Sequence, residues 1–217
     1  MIKIESVVLP SNEQIMFTIE GMRNPKNSWN KIDTENNTIG DNDIDLMSRL
    51  INAGPEHRKF MRTLPVNIRI TAPLYWWKEW DTYKIGTIAN SCSTMHKITA
   101  KEFTLDDFSH EHLSNKSLEI LGSTVDLLNY YRNLYINGGE DYINDSDCEK
   151  YEPNDKYIWW QLIQLLPSSY NQTRNITLNY EVLRNMYHQR KNHKLDEWIY
   201  FCEYLETLPY FNLMIEN

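Results

Sequence analysis

Apolar and polar residues alternate through the opening segment MIKIESVVLP and again beyond a turn at Pro10-Ser11-Asn12. This period predicts two short strands within residues 1–20. Residues 23–42 are polar and rich in Asn, with Gly40 near their end, and read as a long surface loop. The period lengthens to that of a helix in residues 43–53, where Ile44, Met47, Leu50 and Ile51 share one face. Asp43 is placed to cap that helix and Gly54 to stop it. Residues 57–64 suit a short second helix, and VNIRIT, residues 66–71, alternates cleanly as a strand.

Pro73 then opens a helix with an aromatic stripe of Trp76, Trp77 and Trp80, and Gly86 interrupts the pattern beyond it. Residues 106–112 are acidic and expected at the surface. The longest helical pattern, residues 118–134, ends before Gly138-Gly139, and residues 140–155 form an acidic, turn-rich loop. An apolar helix over residues 157–166 is stopped by Pro167. Residues 173–178 suit a strand, and residues 179–190 and 195–208 read as two closing helices. No repeat or linker composition interrupts the chain. The expectation is a single α+β domain over residues 1–217, a mixed α/β core with long helices.

A chain of 217 residues can bury a sizeable core. Its net charge of −8 argues against general nucleic-acid binding, while leaving room for one nucleotide in a locally basic pocket. No apolar run is long enough to span a bilayer, and the opening lacks the basic-then-apolar order of a secretion signal, so a cytoplasmic protein without a membrane role is expected. Cys92, Cys148 and Cys202 are widely spaced and form no CxxC pair, which argues against a disulfide framework or a zinc site. Cys92 with His96 is weak evidence for a thiol nucleophile. His110-Glu111-His112 is an unconvincing metal cluster on a loop. Neither a Rossmann fingerprint nor a P-loop occurs.

Two distant segments carry the most information. One is LPSSYNQTRNITLNYEVLRNMYHQR, residues 166–190. Leu166-Pro167 ends one helix, Asn179 opens the next, and Asn185 and Arg190 lie further along it. Steps of six and five residues leave these three about 120° and 140° apart around a helix, so they do not share one face. The other is PLYWWKEWDTYKIGTIANSCSTMH, residues 73–96. In this order the pair resembles the two signature regions of the flavin-dependent thymidylate synthases. The likeness runs roughly over residues 44–205.

The resemblance implies a homotetramer with sites between subunits, FAD as cofactor, a folate one-carbon donor and a deoxyuridine nucleotide as substrate. It also implies flavin contacts at His57, Lys84, Asn179 and Asn185, and nucleotide contacts at Glu79, Ser93 and Arg190. No enzyme nucleophile is required, so such a protein works by orientation and electrostatics. The first segment departs from the family pattern. Lys78-Glu79-Trp80 stands where the family has Arg-Gln-aromatic, and Thr82-Tyr83-Lys84 stands where it has Arg-His-Arg. Thr94 falls at its final Arg. Asn90 and Ser93 take the Asn and second Ser positions only with a one-residue insertion; Ala89 and Cys92 take them otherwise. Each lost charge-assisted hydrogen bond is worth roughly 1.5–3 kcal/mol.

Two readings are open. One is a divergent relative, virus- or mobile-element-encoded, acting on deoxyuridine nucleotides. The other is a nucleotide-binding or host-interaction protein that kept the scaffold and lost the chemistry. As a plain surface charge, Arg190 would sit near Glu181 or Glu197.

Overall fold

A computed structural model of the chain describes residues 1–35, 38–137 and 156–216. The strands are β1 (Lys3–Val8), β2 (Pro65–Pro73), β3 (Ile88–Ser91) and β4 (Asn171–Asn179). They form a four-stranded sheet in the order β1-β2-β4-β3. The helices are α1 (Asn12–Arg23), α2 (Asp41–Asn52), α3 (Leu74–Trp80), α4 (Thr94–Lys97), α5 (Asn115–Asn137), α6 (Lys156–Leu165), α7 (Tyr180–Arg190), α8 (Asp196–Glu206) and α9 (Phe211–Ile215). The mixture of sheet and helix is the expected α+β class.

Two compact units emerge, one of Met1, Thr71–Lys78 and Ser91–Thr173, the other of Ile2–Ile70, Glu79–Asn90 and Arg174–Asn217. In the first, α5 packs along α6, and Leu121, Val125 and Leu128 meet Leu162, Phe103 and Phe108 in one apolar cluster. Asn129 clamps the backbone of Phe103, accepting from its N–H at 2.8 Å and donating to its carbonyl at 2.9 Å. In the second, a 3-10 turn at Arg58–Thr63 packs against α1, α2 and α7, and α7 packs on α8 and α9.

The second expected strand is instead helix α1. Ser11 Oγ accepts from the Gln14 N–H at 3.3 Å while Gln14 Oε1 accepts from the Ser11 N–H at 2.8 Å. This reciprocal cap starts a helix where the alternation alone reads as a strand. The expected loop at residues 23–42 carries 3-10 turns at Asn24–Lys26 and Trp29–Lys31 and buries Arg23, Thr34 and Ile39.

Asp43 is not the cap of α2. Gly40 holds that position, and the Asp33 carboxylate accepts from the N–H groups of Asn42 at 2.9 Å and Asp43 at 3.1 Å. Glycine is required there because a Cβ would run into Asp33. Asp43 itself is 0% exposed. Its carboxylate accepts from Arg23 at 2.6 and 3.0 Å, from the Asp33 N–H at 3.1 Å and from Thr34 Oγ1 at 2.8 Å.

The acidic stretch expected at the surface buries Phe108 and Ser109. The turn-rich loop at residues 140–155 and Cys148 lie outside the described residues. Helix α9 has no counterpart in the expected elements. Trp76, Trp77 and Trp80 are buried within the chain itself, so their burial needs no partner subunit.

Candidate functional site

Helix α7 begins at Asn179, whose side chain caps it. Asn179 Oδ1 accepts from the Val182 N–H at 3.1 Å. Gly86 approaches this cap with φ of +79°, and a Cβ on it would lie 3.1 Å from Val182 Cγ2 and 3.4 Å from Asn179 Nδ2. Glycine therefore serves both the left-handed backbone and the close approach. Replacing Asn179 with Ala is expected to cost about 1 kcal/mol, read as a lowered melting temperature.

Farther along α7, a continuous hydrogen-bond network joins three of the expected site residues. Gln189 Nε2 donates to Asn185 Oδ1 at 2.9 Å. Gln189 Oε1 accepts from the Tyr83 hydroxyl at 2.9 Å, and that hydroxyl accepts from Arg190 Nε at 2.8 Å. Arg190 Nη1 donates to Glu79 Oε2 at 2.7 Å. Asn185 and Arg190 point away from each other on the helix, and Tyr83 with Gln189 bridges the gap.

The network ends in an aromatic enclosure. The Arg190 guanidinium lies 5.0 Å from the centre of the Trp198 ring and 5.6 Å from that of Tyr83. Trp198 is buried, stacks on Trp80 at 5.9 Å and donates from Nε1 to Glu79 Oε2 at 3.0 Å. His193 Nε2 stands 3.2 Å from the same oxygen, while its Nδ1 accepts from the Leu195 N–H at 3.1 Å. That bond leaves the ring proton on Nε2, facing the carboxylate.

Glu79 therefore gathers its neighbours on Oε2. Among the described residues, its Oε1 has no hydrogen-bond donor and Arg190 Nη2 has no acceptor. The Glu79 side chain is 33% exposed, and that of Arg190 is 17% exposed. Glu79 thus keeps one unused acceptor and Arg190 one unused donor, on side chains that are paired with each other. This complements a ring imide edge, whose N–H adjoins a carbonyl. Arg190 is paired with Glu79, not with the expected neighbours Glu181 and Glu197. Glu181 accepts from Arg58 at 3.0 Å.

The remaining expected residues lie elsewhere. Lys84 is exposed and has no ion-pair partner among the described residues. His57 is exposed on a largely apolar cleft of about 700 Å³, whose walls include Phe17, Met22, Leu50 and Phe60 and whose cations are Lys59 and Arg62. Ser93 belongs to the first unit, where its Oγ accepts from the His96 N–H at 3.1 Å. It lines a polar cleft of about 360 Å³ with Cys92, Lys97 and Lys101, and Lys101 is paired with Asp107. No hydrogen bond or ion pair among the described residues joins the side chains of His57 or Lys84 to the Glu79–Arg190 network.

Sequence reasoning missed Tyr83, Gln189, His193 and Trp198 as members of the network. Gln189 is one helical turn from Asn185, a visible signal. Trp198 and His193 gave none.

No protein-family model and no curated protein matches the chain by sequence. Solved structures do match its fold. Flavin dependent thymidylate synthase ThyX from Helicobacter pylori, complexed with FAD and dUMP, is 16% identical to it, with a TM-score of 0.64 over 97% of each chain. Thymidylate synthase X from the same organism, with FAD and dUMP, is 15% identical, with a TM-score of 0.62 over 99% of this chain and 95% of that one. The fold is that of the flavin-dependent thymidylate synthases. At such identities it is the scaffold that is shared, and the chemistry rests on the side chains of this chain.

Among the described residues no helix is long and apolar enough to cross a membrane. Burial pushes the Cys202 thiol up to about 12, so it stays protonated near neutral pH and is no nucleophile there.

Proposed function

We propose that the chain binds a deoxyuridine nucleotide through Glu79 and Arg190, as a divergent flavin-dependent thymidylate synthase-like protein. The observation that carries this reading is the meeting of these two residues, 111 positions apart, on a fold shared with proteins solved with FAD and dUMP. Glu79 Oε1 accepts from the pyrimidine N3–H. Arg190 Nη2 donates to a neighbouring ring carbonyl, which offsets the repulsion between that carbonyl and the carboxylate. Trp198, Tyr83 and Asn185 hold Arg190 and its supports in one geometry.

The donor set also fits a flavin. The His57 cleft offers apolar walls for a ring system and Lys59 and Arg62 for phosphates, within the usual size of ligand pockets. Lys84, Asn179 and Asn185 contribute from α7 and the segment beside it, in a cytoplasmic homotetramer whose sites draw on several copies. A bound FAD, reduced by an external hydride donor, would supply hydride, and a folate would supply the one-carbon unit for the pyrimidine C5.

A second reading, binding without catalysis, is favoured by a specific observation. Lys84 is the one cation left in Thr82-Tyr83-Lys84, and Arg190 already commits part of its charge to Glu79. On that reading the protein is a nucleotide-binding or host-interaction protein of a virus or mobile element. Absorbance of the purified protein after incubation with FAD separates the two. Retained flavin, lost on His57→Ala, is the result expected for the enzyme. A colourless protein that nevertheless binds dUMP supports the second reading.

A further inference from the structure

We propose that a polar cleft between α1 and α2 is a binding site for an oligophosphate, inorganic or carried as the tail of a nucleotide. The cleft measures about 460 Å³ and is lined by Arg23, Lys26, Lys31, Asn42, Asp45 and Arg49 among others. This inference is independent of the pyrimidine reading and concerns a different part of the second unit.

The cleft has a fixed charge at its base. Arg23 is only 4% exposed. Its Nε and Nη2 are held by Asp43 Oδ1 at 3.0 and 2.6 Å. Nη1 makes no hydrogen bond among the described residues, although Arg23 lines the cleft. A buried guanidinium anchored on one edge, with its other edge toward a cleft, is a preorganised anion donor. Its rotamer entropy is already lost on folding, so binding does not pay for it again.

Two further cations stand over this base. Lys26 and Lys31 have no ion-pair partner among the described residues, and both line the cleft. Arg49 is held by Asp45 at 2.9 Å, the one carboxylate of the lining. The lining sets four cations against one carboxylate, and with Asp43 and Asp33 behind it the local excess is still one positive charge, on a chain of net charge −8. Ser28, Asn30 and Asn42 add hydroxyl and amide groups to the lining.

The dimensions choose among anions. The cleft has space for roughly fifteen waters, more than one orthophosphate fills. Several separate cations suit successive phosphate groups better than one central charge. A polar lining disfavours an apolar acid, and the acidic chain disfavours a long nucleic-acid backbone.

The test is a melting-temperature titration of the intact chain at low salt with sodium tripolyphosphate, ATP without divalent metal, and orthophosphate. Tripolyphosphate is expected to raise the melting temperature, because it binds only the folded state. The double variant Lys26→Ala/Lys31→Ala keeps the unliganded melting temperature and loses about a hundredfold in affinity, about tenfold for each charge-assisted contact. Arg23 is left intact because its removal would orphan Asp43. Equal affinities for tripolyphosphate and ATP assign the site to the phosphate chain alone, and tighter ATP assigns it to a nucleotide tail. Arg190→Ala leaves tripolyphosphate binding unchanged, which separates this site from the pyrimidine site. Absence of any shift at millimolar tripolyphosphate overturns the proposal, as does a double variant that binds like wild type. Orthophosphate binding as tightly as tripolyphosphate overturns the assignment to an oligophosphate.

Discussion

Asp43→Ala is expected to destabilise the protein by about 3–5 kcal/mol, the scale for removing one partner of a buried ion pair. The magnitude comes from what is left behind. Arg23 is buried apart from the edge that meets the cleft, and it has no other anion in contact among the described residues. Thr34 Oγ1 and the Asp33 N–H lose their acceptor in the same step. Since Asp33 caps α2 and Arg23 closes α1, the change loosens both helix ends and the segment between them.

The same carboxyl gives the stability an acid limb. Burial pushes the Asp43 carboxyl up, but the hydrogen bonds from Arg23, Thr34 and the Asp33 N–H, with the Arg23 charge, outweigh it and hold it below the usual carboxylate range. A folded-state value below the unfolded one stabilises the protein above the unfolded value. That contribution fades as pH falls through the folded one. Urea unfolding at neutral pH and across the acid range measures both effects. Asp43→Ala should show the loss at neutral pH and a flatter acid limb. A loss under about 1 kcal/mol would place the pair among ordinary surface contacts.

Arg190→Ala is expected to weaken pyrimidine binding by about ten- to a hundredfold, the worth of one charge-assisted hydrogen bond. The structure also says which part of the ligand is affected. Arg190 is enclosed by Glu79, Tyr83 and Trp198, which suits a ring edge. The loss should therefore be the same for deoxyuridine and for its monophosphate. A loss confined to the monophosphate would move Arg190 to the phosphate. Glu79→Gln supplies the control, because the amide keeps an acceptor and removes the ion pair.

Much of the scaffold was legible in residue order. The strand at residues 66–71, the long helix that became α5, and the helix opened by Asn179 all come from period and punctuation. Helix α1 was hidden because a short apolar alternation fits either period. Its capping box, spelled Ser11-Asn12-Glu13-Gln14, was the decisive local signal. Asp43 read as a cap because caps are local, whereas its partners Arg23 and Thr34 arrive through the chain's return path. The site was legible only as a pair of motifs. The resemblance implied Glu79 and Arg190 as nucleotide contacts but not their contact with each other. Nor did it reveal the Tyr83–Gln189 bridge that ties Asn185 to them, since a hydrogen bond across 106 positions leaves no periodic trace.

Calorimetric titration of the wild-type chain with dUMP and with its N3-methylated analogue tests the central claim most directly. The methyl group removes the ring N–H while keeping the sugar, the phosphate and both carbonyls. If Glu79 Oε1 reads that N–H beside Arg190, dUMP binds and the methylated analogue does not. Equal binding of the two, or no binding of dUMP at all, would contradict the account.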